Sequence, residues 1–578
     1  MSVQELVRDL ERRGVVLTAD GDALTMRAPK GALVEQDREL LRARKAEILA
    51  WLKGNDADPD EPFPLTDIQE AYLVGRAAEL ELGRVGCHAY REFEAAAYDV
   101  AQLEQGWNRL VRHHPMLRAV VTGSDRQRVL PDVPFYRVEV LDLRGAADAQ
   151  ARLDAIRTER SHHVFDPGRW PLFDIRVTRL DDRMRLHVGM DLLIADAVSM
   201  VQLFREWGAL YRDPTAVLAA PAGTFAQHCR ALHRHVPATA LDYWGRRLAS
   251  LPGGPDLPRQ PLAGPPRFHR HSHRLPAASW SALKTAAQQR GLTPSALLAA
   301  AYADVLAAWS RRSHFLMVLT TFAAPRGMEN VVGDFTSTIL LEADTTPATF
   351  AERATALARR LAADLDHAEV SGVRVMRDLR RQHPDVTPVS VVFTSTLGHG
   401  VLAGEPPLAW LGSTVHAITQ TPQVAIDHHV LEEANDLVAS WDVLADLFPS
   451  GLVAGMFAAY GRLLDELASG SGWQAPVVAR APLPARPAPQ VAFEPMPLFA
   501  GFLARAAAAP EAVAVVDGAG AIGFFPPSSL VPFWTTCAVA LIGLGPVFGW
   551  WISLIGVAFG IWCVFGWAYE FYRGDFKH

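Results

Sequence analysis

Apolar and polar residues alternate over residues 184–190, with the two-residue period of a β-strand. Over residues 198–211 the apolar positions recur at helical spacing, which predicts a helix. The turn between these elements carries Asp191, Asp196 and Ser199. Scaffolds commonly present reactive groups on such loops, so these three residues are candidate site residues. Asp196 or Ser199 would equally serve as the N-cap of the helix that follows.

The first 55 residues have the pattern of a small separate domain. Apolar residues at helical spacing predict helices over residues 3–10 and 40–52, and two strands flank the turn at Asp20 and Gly21. The acidic, proline-containing linker 54–62 separates this unit from the rest of the chain.

Composition and charge exclude several classes of function. The chain has 578 residues and a net charge of -7 without a basic block, which argues against binding to nucleic acid phosphates. No metal-ligand cluster, phosphate-binding loop or Ser-His-Asp arrangement is recognisable, so no metal is expected. The cysteines form no CxxC pair and no disulfide framework, which favours a reducing, cytoplasmic location; they are Cys87, Cys229, Cys537 and Cys563.

The last hundred residues or so have two distinct parts. Residues 481–522 combine a Pro/Ala-rich linker with a helix and strand pattern that resembles the start of an adenylation domain. No ATP-binding loop follows, so we expect no loading of an amino acid by this chain. Residues 523–578 contain two uncharged apolar runs, which predict a transmembrane helical hairpin that anchors the cytoplasmic part. The basic residues Arg573 and Lys577 place both ends on the cytoplasmic side; the alternative is a buried apolar hairpin of a soluble domain.

Residues 63–480 carry a series of short blocks in a distinctive order. Asp191, Asp196 and Ser199 form an Asp-x4-Asp-x2-Ser centre, where ordinary condensation domains have a His-His pair followed by Asp-Gly. This region resembles the heterocyclization domains of nonribosomal peptide synthetases, a branch of the condensation superfamily. The other blocks are Phe63–Arg76, Cys87–Tyr90, Arg112–Leu117, Trp170–Phe173, Asp242–Trp244, Gly291–Ser295, Gly333–Ser337, Val392–Ser395 and Thr421–Asp427.

The resemblance implies an α/β fold like that of chloramphenicol acetyltransferase, with two lobes. We place these lobes at residues 63–250 and 251–480, because a Pro/Gly-rich loop begins at residue 251. A tunnel between the lobes would admit the phosphopantetheine arms of two partner carrier proteins. The domain itself would bind no cofactor directly.

The resemblance also implies the chemistry. The family joins an acyl thioester to a carrier-bound Cys, Ser or Thr and then closes the side chain onto the new amide, with loss of water. It implicates Asp427 and Thr394 in ring closure. Asp191 and Asp196 match the central pair of the family's catalytic motif, and we expect at least one of them to be mainly architectural. Ser199 and Gln423 are further candidates for orienting the substrate. A carboxylic acid whose pKa is raised by a dry tunnel would act as proton acceptor and donor.

Two further resemblances concern the ends of the chain. Residues 1–55 resemble TubC-type docking domains, which implies that they bind the tail of an upstream synthetase protein. The last fifty residues or so resemble bacterial cytochrome c oxidase polypeptide 4, so a membrane subunit of an oxidase, fused to a synthetase fragment, is the alternative function. The junction is either a rearranged reading frame or a genuine tether.

One departure from the family pattern stands in residues 319–333. These residues lack the Asn-Arg pair that the family usually carries before the Gly-Asp-Phe-Thr block. The departure leaves open the choice among Cys, Ser and Thr, and the identity of the donor acyl group. It also leaves open a domain that condenses without cyclizing, or a non-catalytic scaffold.

Overall fold

A computed structural model describes residues 61–477, with gaps at 222, 233–235, 263, 323, 326, 329 and 399–407, together with parts of residues 6–53 and residues 516–517 and 520–521. The chain divides into two compact units, residues 1–484 and 485–578. In the second unit, Val516–Asp517 pairs with Gly520–Ala521. The predicted hairpin at 523–578 and most of 481–522 lie outside the described residues. Among the residues described, no helix is both long and apolar enough to cross a membrane.

In the N-terminal segment the predicted hairpin is confirmed, the pattern predicted as one helix over 40–52 forms two helices, and most of the predicted helix over 3–10 lies outside the described residues. Strands β1 (Val16–Asp20) and β2 (Ala23–Arg27) pair antiparallel, and helices α1 (Glu35–Ala43) and α2 (Lys45–Lys53) follow. Its core is made of apolar residues from both the strands and the helical patterns, namely Leu6, Leu10, Val15, Leu17, Leu41 and Ile48.

Residues 61–477 alternate helices and strands. The strands are β3 (Phe63–Pro64), β4 (His88–Ala95), β5 (Ala119–Thr122), β6 (Arg126–Val129), β7 (Glu139–Asp142), β8 (Phe173–Arg179), β9 (Met184–Asp191), β10 (His269–Leu275), β11 (His314–Phe322), β12 (Thr336–Asp344), β13 (Val391–Ser395), β14 (Ser413–Gln420), β15 (Ile426–Glu433) and β16 (Asp436–Val443). The helices are α3 (Asp67–Gly75), α4 (Val100–His113), α5 (Ala149–Arg160), α6 (Ala197–Arg212), α7 (Phe225–Leu232), α8 (Ala238–Leu248), α9 (Ala277–Gln288), α10 (Pro294–Trp309), α11 (Phe350–Leu365), α12 (Gly372–Gln382) and α13 (Leu452–Ser469). The predicted strand at 184–190 and helix at 198–211 are confirmed as β9 and α6.

The first lobe is built on a five-stranded sheet in the order β14-β4-β9-β8-β7, beside a small sheet β3-β6-β5. Helices α4 and α6 cover one face, where Trp107 and Trp207 pack edge to face with ring centroids 4.9 Å apart. Phe93 and Phe173, from β4 and β8, belong to the same core. Burial of these large rings, which removes apolar surface from water, stabilises the lobe.

The second lobe is built on a six-stranded sheet in the order β10-β16-β15-β13-β11-β12. One face packs against α9, α10, α11 and α13; α10 is almost entirely apolar, as expected of a helix that is buried on all sides. On the other face, α8 and α12 pack against Leu316 and Leu340 of β11 and β12. The middle strands carry polar side chains on that second face.

Two segments from the second half of the chain belong to the first lobe. Strand β14 lies in the range predicted for the second lobe, yet it pairs antiparallel with β4 as the edge strand of the first sheet. Trp410, just before it, donates a hydrogen bond of 2.9 Å to the carbonyl of Phe204 in α6. Val331 and Val332 are likewise buried in the core of the first lobe. The second half of the chain therefore contributes segments to the first lobe, and the lobes do not divide simply at residue 250.

Candidate active site

Asp191 lies at the C-terminal end of β9 and is fully buried. Its carboxylate accepts two hydrogen bonds from the guanidinium of Arg76, of 3.2 and 3.3 Å, and one of 3.1 Å from the backbone N–H of Leu193. Burial raises the pKa of Asp191, while Arg76 opposes that shift. Arg76 caps the C-terminal end of α3, so this ion pair joins α3 to the end of β9.

Asp196 and Ser199 together bind the segment Gly333–Phe335. Asp196 caps α6 by accepting a 2.7 Å hydrogen bond from the N–H of Ser199, and its second oxygen accepts one of 3.1 Å from the N–H of Phe335. The Ser199 hydroxyl donates to the carbonyl of Gly333 at 2.8 Å and accepts from its N–H at 3.2 Å. Burial raises the pKa of Asp196 to about 6, although these hydrogen bonds oppose it.

Asp334 is a buried acid that was not among the predicted site residues. One oxygen accepts a 3.2 Å hydrogen bond from the N–H of Thr336, whereas the other has no hydrogen-bond partner among the described residues. Burial, followed by the negative charge of Asp196, raises the pKa of Asp334 well above its usual range. The Gly-Asp-Phe-Thr-Ser block was the sequence signal that pointed to this position.

Asp427 lies on β15 and is almost fully buried. The Thr421 hydroxyl donates to one carboxylate oxygen at 2.8 Å, and Nε2 of His429 lies 3.2 Å from the other. Burial, the largest single influence, would raise the pKa of Asp427, but the neighbouring His429, the Thr421 hydroxyl and Arg270 together outweigh burial, so the pKa is lowered. Asp427 is therefore not a carboxylic acid with a raised pKa, because the fold places His429 beside it, which the sequence pattern did not show.

A second buried carboxylate, Asp442 on β16, faces the same histidine. Its oxygens accept hydrogen bonds of 2.8 and 2.5 Å from Arg270 on β10, and one of 2.8 Å from the N–H of Thr419. Nε2 of His429 lies 3.8 Å from Asp442 Oδ2. Burial would lower the pKa of His429, but the negative charges of Asp427 and Asp442 outweigh it, so that pKa is raised.

Strand register explains why these side chains share one face of the sheet. Thr394 on β13 is opposite His429 on β15, and Thr320 on β11 is opposite Thr394. The Thr394 hydroxyl donates to the Thr320 hydroxyl at 3.0 Å. In the neighbouring row Asp427 is opposite Asp442, which is opposite Arg270. Side chains two residues apart on a strand point to the same side, so the two rows form a single polar surface.

The opposite face of the same strands is aromatic. His428, between Asp427 and His429, packs with its ring centroid 4.8 Å from Tyr460 and 4.9 Å from Tyr302. Burial lowers the pKa of His428 to about 3, so its ring is neutral. The two adjacent histidines therefore have different environments, and only His429 lies beside the carboxylates.

Gln423 connects the second lobe to the first. Its backbone is left-handed (φ 62°), and its amide donates a 2.9 Å hydrogen bond to the carbonyl of Gly75 at the end of α3. Gly75 is pressed against Pro422, since a Cβ at Gly75 would lie 2.7 Å from the Cβ of Pro422. The side chains of Gln423 and Ser199 are thus both engaged within the protein, and their expected roles in orienting a substrate stay predictions.

Tyr72 on α3 lies within electrostatic range of both groups of acids. Burial raises the pKa of Tyr72 well above its usual range, and the charges of Cys87, Asp334 and Asp427 add to the shift. Tyr72 is therefore influenced both by Asp334, in the segment bound by Asp196 and Ser199, and by Asp427 on β15. Asp334 and Asp427 are far apart in the sequence, so the sequence did not indicate that both influence Tyr72.

The arrangement offers a carboxylate with a lowered pKa, an imidazole with a raised pKa and a threonine hydroxyl on one surface. These groups suit proton transfer to and from a bound substrate. Among the described residues, no group of three or more His, Cys, Asp or Glu side chains is placed to hold a metal ion. A cavity of about 570 Å³ is lined by parts of the first lobe and by Val331 and Val332, and none of the six predicted site residues lines it.

Comparison with protein families identifies the central region. Residues 61–471 match the family described as Condensation domain. The chain belongs to the condensation-domain family. Residues 3–54 match the TubC N-terminal docking domain, and residues 501–577 match Cytochrome c oxidase subunit IV. The resemblances to the condensation superfamily, to TubC-type docking domains and to the oxidase subunit are thereby confirmed. The resemblance of residues 481–522 to the start of an adenylation domain stays a prediction.

Similar proteins place this condensation domain among nonribosomal peptide synthetases. The cyclization–docking bidomain of EpoB from Sorangium cellulosum has a TM-score of 0.67 and 34% identity, and the match covers 81% of this chain and 99% of that one. Pyochelin synthetase PchF of Pseudomonas aeruginosa is 35% identical over 91% of this chain and 30% of its own length. Phenyloxazoline synthase MbtB of a Mycobacterium species is 37% identical over 81% of this chain and 41% of its own length.

These comparisons confirm the α/β condensation fold and a condensation type of enzyme. The chain spans between 30% and 41% of the length of these two curated relatives. The X-domain from teicoplanin biosynthesis, at 20% identity and a TM-score of 0.59, shares the fold alone.

Proposed function

We propose that this domain condenses a carrier-bound acyl thioester with a carrier-bound Cys, Ser or Thr and then cyclizes the product to a thiazoline or oxazoline. The observation that carries this proposal is the position of Asp427, ionised between Thr421 and His429, on the same surface as Thr394. Ring closure requires removal of a proton from the thiol or hydroxyl and protonation of the hydroxyl that leaves as water. A paired carboxylate and imidazole would serve both steps.

The remaining predicted site residues would hold this surface in place. Asp191 fixes α3 through Arg76, and Asp196 fixes the Gly333–Phe335 segment through the N–H of Phe335. Helix α3, which bears Tyr72, also contacts the loop before β15, because the carbonyl of Gly75 accepts a hydrogen bond from Gln423. The bonds of Asp191 and Asp196 would therefore help to fix the distance between the lobes. Their contribution to catalysis would be positional, since reacting groups gain most from being held in attack geometry.

The names of the similar proteins support cyclization. One is a cyclization–docking bidomain and another is a phenyloxazoline synthase, a name that contains the oxazoline ring. We infer that the substrates arrive on phosphopantetheine arms of partner carrier proteins, and that residues 3–54 bind an upstream synthetase protein. Without the usual Asn-Arg pair in residues 319–333, a domain that condenses without cyclizing is the nearest competing function.

The test uses the full chain with an acyl-loaded donor carrier and a cysteinyl-loaded acceptor carrier. We expect the product on the acceptor carrier to have the mass of the amide minus one water. Asp427→Ala should accumulate the linear amide, because amide formation does not require the water-loss step. The proposal would be refuted by a wild-type chain that forms no ring with Cys, Ser or Thr, and loss of amide formation in the variant would contradict a dedicated role of Asp427.

The match of residues 501–577 to Cytochrome c oxidase subunit IV favours one second candidate, a membrane accessory subunit with the synthetase part attached. In that case the full chain would be recovered in the membrane fraction and would co-purify with an oxidase. Recovery of the full chain entirely in the soluble fraction would remove this candidate.

A further inference from the structure

His429 has the position of a proton donor, and its role was not foreseen from the sequence. Its Nε2 atom is buried and lies 3.2 Å from Asp427 Oδ1 and 3.8 Å from Asp442 Oδ2. No hydrogen bond to Nδ1 occurs among the described residues, and the side chain is 22% exposed, compared with 4% for Asp427. One nitrogen of the ring therefore faces the carboxylates, and the other is left for a substrate.

Charge balance favours the cationic form of this ring. Asp442 is ion-paired with Arg270, and Arg91 on β4 adds a second positive charge near Asp442, whereas the ion-pair partner of Asp427 among the described residues is His429. An unbalanced buried charge is costly because burial removes its hydration. Tyr72, which faces Asp427 from the first lobe, has a raised pKa and adds no charge. The imidazole of His429 thus lies against the Asp427 carboxylate through Nε2, while its side chain remains partly exposed.

We propose that His429 supplies the proton for the water-loss step, with Asp427 as its ion-pair partner. This inference rests on the proposed cyclizing function. Nδ1–H of His429 would protonate the hydroxyl of the closed ring intermediate, and the C–O bond would break to release water. The lone pair of the ring nitrogen would form the C=N bond, and the proton on that nitrogen would pass back to Nδ1. The sequence consumes no external reactant and regenerates the imidazolium.

Thr394 lies opposite His429 in the strand register and would bind the same intermediate. Its hydroxyl is already oriented by the bond to Thr320, at 3.0 Å. In this scheme Asp427 does not itself donate the proton, which agrees with its lowered pKa. Asp442 and Arg270 are positioning residues, because they act on the substrate only through His429.

The experiment compares the full-length wild-type chain with His429→Gln and His429→Lys, on donor and acceptor carriers loaded with acyl and cysteinyl groups. For His429→Gln we expect amide formation to persist and water loss to fall about 100-fold, within the usual contribution of general acid catalysis. Wild-type water loss should slow as pH rises through the pKa of His429, since the cation is the donor. His429→Gln should lack that alkaline limb, and His429→Lys should move it to higher pH.

A matched control is His314→Gln, on β11 of the same sheet, where the ring is 44% exposed and pairs with Glu342. It should leave both steps unchanged. The proposal is overturned if His429→Gln cyclizes at the wild-type rate, keeps the alkaline limb, or loses amide formation to the same degree as water loss. If His429→Gln does not fold, the pH profile of His429→Lys decides. Failure of the wild-type chain to form any ring would refute the proposed function, whereas a normal His429→Gln would refute only this step.

Discussion

The ion pair between Arg76 and Asp191 provides the sharpest test of the architectural role given to the central aspartates. The side chains are 9% and 0% exposed, and the pair joins α3 to the end of β9. Arg76→Met removes the guanidinium and leaves the buried Asp191 carboxylate with the N–H of Leu193 as its only hydrogen-bond partner among the described residues. Breaking a buried pair in this way typically costs about 3–5 kcal/mol, because an uncompensated charge remains.

Urea unfolding at neutral pH, followed by tryptophan fluorescence, measures this loss. Arg144→Met is the matched control, because Arg144 pairs with Asp142 at 2.5 Å while both side chains are exposed. Water already solvates such exposed pairs, so the control should cost much less. The double variant Arg76→Met/Asp191→Asn should recover part of the loss, since it removes the stranded charge.

Activity gives a second readout for the same variants. In Arg76→Met, amide formation and water loss should decline together, because α3 contacts both lobes through Asp191 and Gln423. The reasoning is refuted if Arg76→Met is as stable as Arg144→Met. It is also refuted if water loss alone is affected, because Asp191 would then act in the chemistry of ring closure.

Two further predictions concern the same junction. The pKa of Asp196 is raised to about 6 in the folded chain, so the folded state holds the carboxyl proton more tightly than the unfolded chain does. This contribution to the free energy of unfolding is full below about pH 4 and is lost as the pH rises through 6. Relative to Asp196→Asn, wild type should therefore lose about 3 kcal/mol of unfolding free energy between pH 4 and pH 7. A difference that is the same at both pH values in urea titrations would contradict the raised pKa of Asp196. Gly75→Ala should lower the melting temperature and the rate of ring formation, because the new Cβ would lie 2.7 Å from the Cβ of Pro422. The control Gly245→Ala, whose Cβ would have no atom within 4 Å, should be neutral or stabilising. Equal melting temperatures for the two alanine variants would show that the contact at Gly75 is unimportant.

Local patterns were sufficient for the elements around the central motif. The alternation at 184–190 and the helical spacing at 198–211 correspond to β9 and α6, and Asp196 caps that helix. Asp196 therefore has both roles considered from the sequence: it caps α6 and it holds neighbouring backbone in place. The ordered blocks identified the family because each block is short and local, and a comparison needs only their sequence and spacing.

Contacts between distant segments could not be predicted in this way. Arg270 and Asp442 are 172 residues apart, and strand register alone brings them beside His429. Strand β14 pairs with β4 at the edge of the first sheet. The residue pattern of β14 does not indicate which of the two sheets it joins. The lowered pKa of Asp427 follows from the neighbouring His429, whose partial exposure and charge depend on the folded cluster.

The most direct test of the central claim separates ring closure from condensation. An acceptor carrier loaded beforehand with the linear N-acyl-cysteinyl thioester is mixed with the full chain, and the mass of the carrier-bound product is followed with time. The account predicts that the wild-type chain removes one water from this thioester and that Asp427→Ala does not. Retention of the linear thioester by the wild-type chain, or equal water loss with and without Asp427, would contradict it.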